Sequence, residues 1–325
     1  MTGRDLGVET IAPDEAAVTA RFIEFLKAAT DRRDPPTARR RFNQARATAF
    51  LNAEFTVLPG VRAEDRVGLF STPRSYPAKI RFANASSEDD RERDIRGMSV
   101  RVFGVAGDNL TPGATVQDFV LNSHPVMMAP DTRAFMELLQ ANEAGGFRRA
   151  MYFLSHPRAL RIGAAARTNP TSHLDITYWS ATPYLFGRSR AVKYVATPTS
   201  SRRSVLPKPL TATYLRDAVR AHLSQSEASF SFMVQFQTDP QRMPIEDASV
   251  EWRPQDSPYV AVAQIRIPPQ SIDDENAVAL GEQMAFNPWN CLPEHRPLGG
   301  MNRARRAIYE AMAEFRGAEK VPQGA

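Results

Sequence analysis

Apolar side chains recur at helical spacing near the start of the chain, where Val18, Phe22, Phe25, Leu26 and Ala29 share one side of a segment over 14–29 that opens on Pro13 and Asp14. A basic, proline-bearing stretch over 32–41 follows. The rhythm then changes to short strands at 50–57, 79–82, 98–103 and 117–121, set apart by Gly, Pro, Asn and Asp, the residues of turns. Helical spacing returns after Asp131, an N-cap by residue type, with Phe135, Leu138 and Leu139 on one face. Next come a strand at 190–196, an amphipathic helix through Leu215, Ala218, Val219, His222 and Leu223, and a strand in which Phe230, Phe232, Val234 and Phe236 alternate. Residues 250–252 and 259–267 read as further strands, before helices at 274–286 and 301–315. The order is a helical arm over 1–37, then a body over 38–325. This is an α+β fold rather than a doubly wound sheet. Strands this dense, joined by polar turns, can close into a barrel whose lined interior would take a ligand.

Composition narrows the class. Hydrophobic residues make up 42% and charged residues 24% of 325, as in soluble globular proteins, and 25 prolines divide the chain into short elements. The net charge of +5 comes from 36 arginines and five lysines, interleaved with 36 acids, without basic runs bearing aromatics. That argues against a nucleic-acid groove and leaves anionic small molecules open. No run of about 18 apolar residues predicts a membrane span, and the N-terminus lacks a secretory pattern. A cytoplasmic location is expected. Cys291, alone, allows neither an internal disulfide nor a cysteine-based zinc cluster, which fits a reducing compartment.

Familiar catalytic patterns are missing: there is no phosphate-binding glycine loop, nucleophile elbow or paired-histidine zinc motif. The five histidines, His124, His156, His173, His222 and His295, are scattered. Chemistry enters through Arg305-Arg-Ala-Ile-Tyr309. A phenol, with a pKa near ~10, ligates ferric iron as an anion where a cation holds the proton off. In the helix expected over 301–315, Arg305 and Tyr309 lie on one face. Arg148/Tyr152 and Arg190/Tyr194 repeat that interval, and an arginine near a helix C-terminus also serves as a solvated charge that suits the dipole. Spacing leaves both readings open.

Matches in order along the chain give the pattern a context. Ala285-Phe-Asn-Pro-Trp-Asn290, with Pro293 and Arg305 to Tyr309 behind it, resembles the proximal region of the catalase family. Arg41-Phe-Asn-Gln44-Ala-Arg46, leading to Phe55-Thr-Val57, is similar to the distal stretch of that family. Ile80-Arg81-Phe82-Ala83 and Asp94-Ile-Arg96-Gly97-Met-Ser-Val100 resemble its next two strands, and Asp118 to Pro125, with Asp131 and Phe135 downstream, its asparagine-bearing segment. The resemblance covers about residues 38 to 316. It implies an antiparallel β-barrel with flanking helices enclosing a pocket for haem b, iron protoporphyrin IX. It further implies Tyr309 as axial ligand to the haem iron, Arg305 as the cation lowering its pKa, and Arg41, Arg81 and Arg316 as propionate partners. Asn122 would be the distal amide, and Phe135 would pack on the macrocycle.

The departures from the family redirect the expected activity. Gln44 stands at the distal histidine's place and Ala83 at that of the serine which holds it. A glutamine amide gives and accepts hydrogen bonds but has no usable pKa for moving a proton between peroxide oxygens. Weak or no true catalase activity is therefore expected, and the chain's length places it with the small catalase-related haem proteins. The leading expectation is a haem-dependent peroxidase, or an enzyme rearranging an organic hydroperoxide. The alternatives are a haem-binding or haem-free protein without catalysis, and a haem enzyme acting on another metabolite. A homo-oligomer is an open option.

Overall fold

Alternation along the strands sorts side chains to two faces, and hydrogen bonding then closes the sheet on itself. The structure, a computed structural model, describes residues 6–318. Helix α1 (Glu15–Arg33) precedes β1 (Ala47–Val57), β2 (Ser75–Asn84), β3 (Arg96–Phe103) and β4 (Val116–Asn122). Three helices follow, α2 (Thr132–Ala144), α3 (Gly146–Ser155) and α4 (Pro157–Ala166), and then β5 (Tyr178–Trp179), β6 (Tyr184–Phe186) and β7 (Arg190–Pro198). Helix α5 (Tyr214–Leu223), β8 (Ala228–Phe236), β9 (Tyr259–Ile267), α6 (Glu275–Gln283) and α7 (Gly300–Phe315) complete the order. The sheet runs β5-β4-β3-β2-β1-β9-β8-β7-β6, all antiparallel, and β5 also pairs with β7. That extra pairing makes an eight-stranded barrel with β6 outside the ring. Closure is narrow, resting on Asn122 opposite Trp179 and on Tyr178 and Trp179 opposite Ala196 and Val195.

The inward set includes Leu51 and Phe55 of β1, Ile80 and Phe82 of β2, Val100 of β3, Phe119 of β4 and Phe232 of β8, all buried in one cluster. Their rings meet inside the barrel: Phe119 lies 4.7 Å from Phe232, and Phe55 lies 5.2 Å from Phe232, between centroids. The expected ligand-lined interior is therefore not there. An eight-stranded barrel is only wide enough for its own side chains, and aromatic residues fill this one.

Polar and small residues alternate onto the outer face, where Arg81, Ala83, Gly97, Arg101, Asp118 and Asn122 stand. One part of that face carries α6 and the segment 284–290. Phe50, Phe103, Val116, Met284 and Phe286 make a second apolar cluster there, and Gly281 lets α6 approach so closely that an added Cβ would lie 2.7 Å from the Phe50 ring. A third cluster joins α1, α2 and α7 through Phe22, Leu26, Met136, Ala304 and Ile308.

Most predicted elements stand with longer ends. Asp131 caps α2 by accepting from the Ala134 amide at 2.9 Å. Three differences are informative. Residues 250–252 form no strand, because side chains satisfy their backbone: Lys193 Nζ donates to the Val250 carbonyl at 3.1 Å and Gln235 Nε2 to that of Trp252 at 2.8 Å. The predicted helix at 274–286 ends at Gln283, where Met284 turns to extended backbone. Helices α3 and α4, and the short β5 and β6, were not predicted.

Candidate functional site

The segment 285–290 shows why its residues are needed together. Arg101 and Asp118 face each other across β3 and β4, fully buried, and form a two-pronged ion pair at 2.7 and 2.6 Å. Arg101 also donates to the Ala285 carbonyl at 2.6 Å, while Asp118 accepts from the Asn287 amide at 2.9 Å and from Asn290 Nδ2 at 2.8 Å. Both carboxylate oxygens and two of the three guanidinium nitrogens thus find partners, which makes the buried pair tolerable, while Arg101 Nη1 is buried without one. Trp289 then carries the mooring to α7, donating its indole N–H to the Asn302 carbonyl at 2.7 Å.

Helix α7 presents Arg305 and Tyr309. Arg305 Nη2 donates to Tyr309 Oη at 3.0 Å, and Nη1 donates to Asn302 Oδ1 at 3.1 Å and to Thr182 Oγ1 at 3.3 Å. Asn302 is itself held, its amide donating to the Pro183 and Leu298 carbonyls. Burial opposes the charge on Arg305, yet the neighbouring Tyr309 and Tyr184 raise its pKa above the ordinary value. The guanidinium is therefore a fixed cation at the phenol oxygen. Neither rival pair shares this geometry. Arg190 lies on β7 and binds Asp65 at 2.7 Å, and Arg148 and Tyr152 sit on α3, where Tyr152 instead donates to the Ala134 carbonyl. Tyr309 packs on the third cluster with Phe22, Phe42 and Phe135, so Phe135 and Tyr309 do come together.

Arg41, Arg81 and Arg316 also converge, around a residue that sequence reasoning missed. Glu282, at the end of α6, accepts from Arg41 Nη1 at 2.7 Å and from Arg81 Nη2 at 3.2 Å, and Arg316 Nη1 donates to its backbone carbonyl at 3.0 Å. Arg41 further binds the Gly281 and Met284 carbonyls. Burial first, and then Arg81 and Arg316, push the Arg41 guanidinium well below its usual range; burial and Arg81 lower Arg316 as well. Against the same burial, Arg81 and Arg41 hold the Glu282 carboxyl below the ordinary carboxylate value. Three cations thus share one carboxylate, and Arg81 Nε is buried without a partner. Nothing in the spacing of Glu282 marks it, since it lies far from all three arginines in sequence.

The distal candidates lie on the outer face of the barrel. Register aligns Ala83, Gly97 and Asn122 across β2, β3 and β4. Gln44 is left-handed, at φ 58°, with its amide N–H bonded to the Ala85 carbonyl and its own carbonyl accepting from Arg81 Nη2 at 2.8 Å. Its side chain lies flat on Gly97, where any Cβ would meet it within 2.2 Å. Asn122 Oδ1 accepts from the His124 backbone N–H at 2.9 Å. Among the described residues, neither the Gln44 side-chain amide nor Asn122 Nδ2 has a protein partner. Gln44 and Asn122 therefore flank Gly97 with amide donors to spare.

The fit to haem rests on these observations. A half-buried phenol oxygen is paired with a fixed cation, and three arginines exceed their one carboxylate by two charges, the number that two propionates carry. The residues fit the group, with Glu282 already placed among its carboxylate partners.

Search among solved structures decides the fold. A fungal catalase superposes with a TM-score of 0.70 at 16% identity, covering 89% of this chain and 61% of its own. The chain has a catalase-like fold. A bacterial catalase (TM-score 0.69, 17% identity, 98% of this chain and 63% of its own) and catalase A from Saccharomyces cerevisiae (0.69, 16%, 98% and 68%) agree. The chain thus spans about three fifths of the length of the first two catalases. No protein-family model matches the sequence, and neither does any curated protein. The eight-stranded catalase-like barrel, with helices packed outside it, matches the architecture that the motifs implied. No helix among the described residues is long and apolar enough to cross a membrane.

Proposed function

We propose that the chain binds haem b and metabolises an organic hydroperoxide, by reduction or rearrangement, with little true catalase activity. The observation that carries this reading is the 3.0 Å hydrogen bond from Arg305 to the Tyr309 phenol oxygen. Tyr309 would be the axial ligand, with Arg305 placing a positive charge at its oxygen. Arg41, Arg81 and Arg316 would hold the propionates, and Phe135 would pack on the ring. Haem, when bound, supplies the iron and the redox chemistry that cleave an O–O bond. Gln44 Nε2 and Asn122 Nδ2 would orient the hydroperoxide by donating hydrogen bonds to its oxygens. Neither moves a proton between those oxygens, and loss of general acid–base help costs about 10² to 10⁴ in rate. The lone Cys291, whose thiol burial pushes up, suits a reducing cytoplasmic setting.

Purified protein with haem supplied is expected to consume a fatty-acid or alkyl hydroperoxide, to release little oxygen from hydrogen peroxide, and to lose turnover in Tyr309→Phe. Rapid oxygen release with no organic turnover would contradict the reading. A second reading, a protein without catalysis, draws on Glu282, which already neutralises part of the arginine cluster. Stoichiometric haem uptake together with hydroperoxide turnover would remove it.

A further inference from the structure

Helix α3 buries none of its residues, although it is amphipathic. Phe147 is 79% exposed, Met151 45% and Leu154 76%, at the i, i+4, i+7 spacing of one helix face, and Leu160 of α4 is 50% exposed. These are four of the seven large apolar residues that the described chain leaves in water. Beside them, α2 and α3 frame an open groove of about 440 Å³, lined by Ala141, Met151, Tyr152 and Leu154.

Charge says what covers this face. Residues 144–174 hold Arg148, Arg149, Arg158, Arg161 and Arg167 and no Asp or Glu. The rest of the chain has 36 basic and 36 acidic residues, so the whole formal excess of +5 resides in this stretch. Arg158 binds the Ser249 carbonyl at 2.8 Å, with Asp247 at 3.7 Å, while Arg148, Arg149 and Arg161 have no ion-pair partner among the described residues. A second copy meeting this face through a two-fold axis would press α3 and α4, which bear arginines and no acid, against their own copies. An anionic lipid surface complements both features, taking Phe147, Met151 and Leu154 among its acyl chains and the arginines at its headgroups.

We propose that α3 and α4 form a docking surface for anionic membranes, lying in the interface rather than crossing it. The surface stands apart from the haem reading, since α3 packs on α2 by Tyr152 to Ala134 and contributes nothing to the Tyr309 cluster.

Sedimentation of the full chain with vesicles tests this, comparing equal parts phosphatidylglycerol and phosphatidylcholine with phosphatidylcholine alone. Wild type is expected to bind the anionic vesicles only. Phe147→Ser with Leu154→Ser should weaken binding about ten-fold or more, as should Arg148→Gln with Arg149→Gln and Arg161→Gln, and added salt should weaken it too. Both variants replace exposed side chains, so circular dichroism should match wild type. Absence of binding to anionic vesicles, or equal binding by both variants, overturns the proposal. So does a dimer in sedimentation velocity that the Phe147→Ser, Leu154→Ser protein loses, which would make the face a contact between copies.

Discussion

At the scale of single residues, the site is an arrangement of fixed charges and free amides. Arg305 is fastened by Asn302 and Thr182, which leaves one guanidinium nitrogen for Tyr309. Gln44 is the residue on which the proposed chemistry turns. Histidine also tolerates the left-handed backbone that Gln44 adopts at φ 58°. Gln44→His combined with Ala83→Ser would restore a distal base and a hydroxyl near it. Oxygen release from hydrogen peroxide, followed with an oxygen electrode, should rise about 10²-fold over wild type; an unchanged rate would show that Gln44 does not face the reacting oxygens. That Arg305 would meet Tyr309, and that Arg41, Arg81 and Arg316 would converge, was legible from the resemblance in motif order and not from spacing. Glu282 was not. Its meaning depends on α6 folding back over β1, and no local pattern carries that information.

At the scale of elements, two moorings hold the site together. The Arg101–Asp118 pair ties the segment 284–290 to the barrel and through Trp289 to α7. Asp118→Ala would leave a buried guanidinium uncompensated, a loss of about 3–5 kcal/mol in chemical denaturation. Replacing both partners by apolar residues should cost much less. The opposition of Arg101 and Asp118 was not read from the sequence, because the register between β3 and β4 that sets it is carried by no local pattern. The second mooring is Asp34, which ends α1 and binds Arg40, the neighbour of Arg41. Although burial alone would raise it, Arg40 and Arg33 hold the Asp34 carboxyl at about 2, below the ordinary 3.8. A depressed folded pKa contributes stability that is complete above about pH 4 and is lost as pH falls toward 2. Asp34→Asn should therefore lower stability at neutral pH, by about 1 kcal/mol given the solvent around Arg40, and flatten the pH–stability curve between 4 and 2. An unchanged curve would remove Asp34 from the account. The helices α3 and α4 were not read from the sequence, although Phe147, Met151 and Leu154 keep the spacing of one helix face.

At the scale of the whole molecule, the barrel was legible as strands of the right density and order, and the resemblance supplied its closure. What the sequence could not give was the direction of the site. Aromatic rings fill the barrel, so the candidate residues gather outside it, on the outward positions of β2, β3 and β4 and on helices brought there by long connections. The net positive charge, by contrast, is already concentrated along the sequence, in the acid-free stretch 144–174 that carries the exposed helical pair. The central claim is that Tyr309 ligates haem iron through the oxygen that accepts a hydrogen bond from Arg305. The most direct test is the absorption spectrum of protein produced with haem supplied, wild type beside Tyr309→Phe. The account predicts stoichiometric haem with a high-spin ferric tyrosinate spectrum that the mutant loses. Wild type that takes up no haem, or a mutant spectrum identical to wild type, would contradict it.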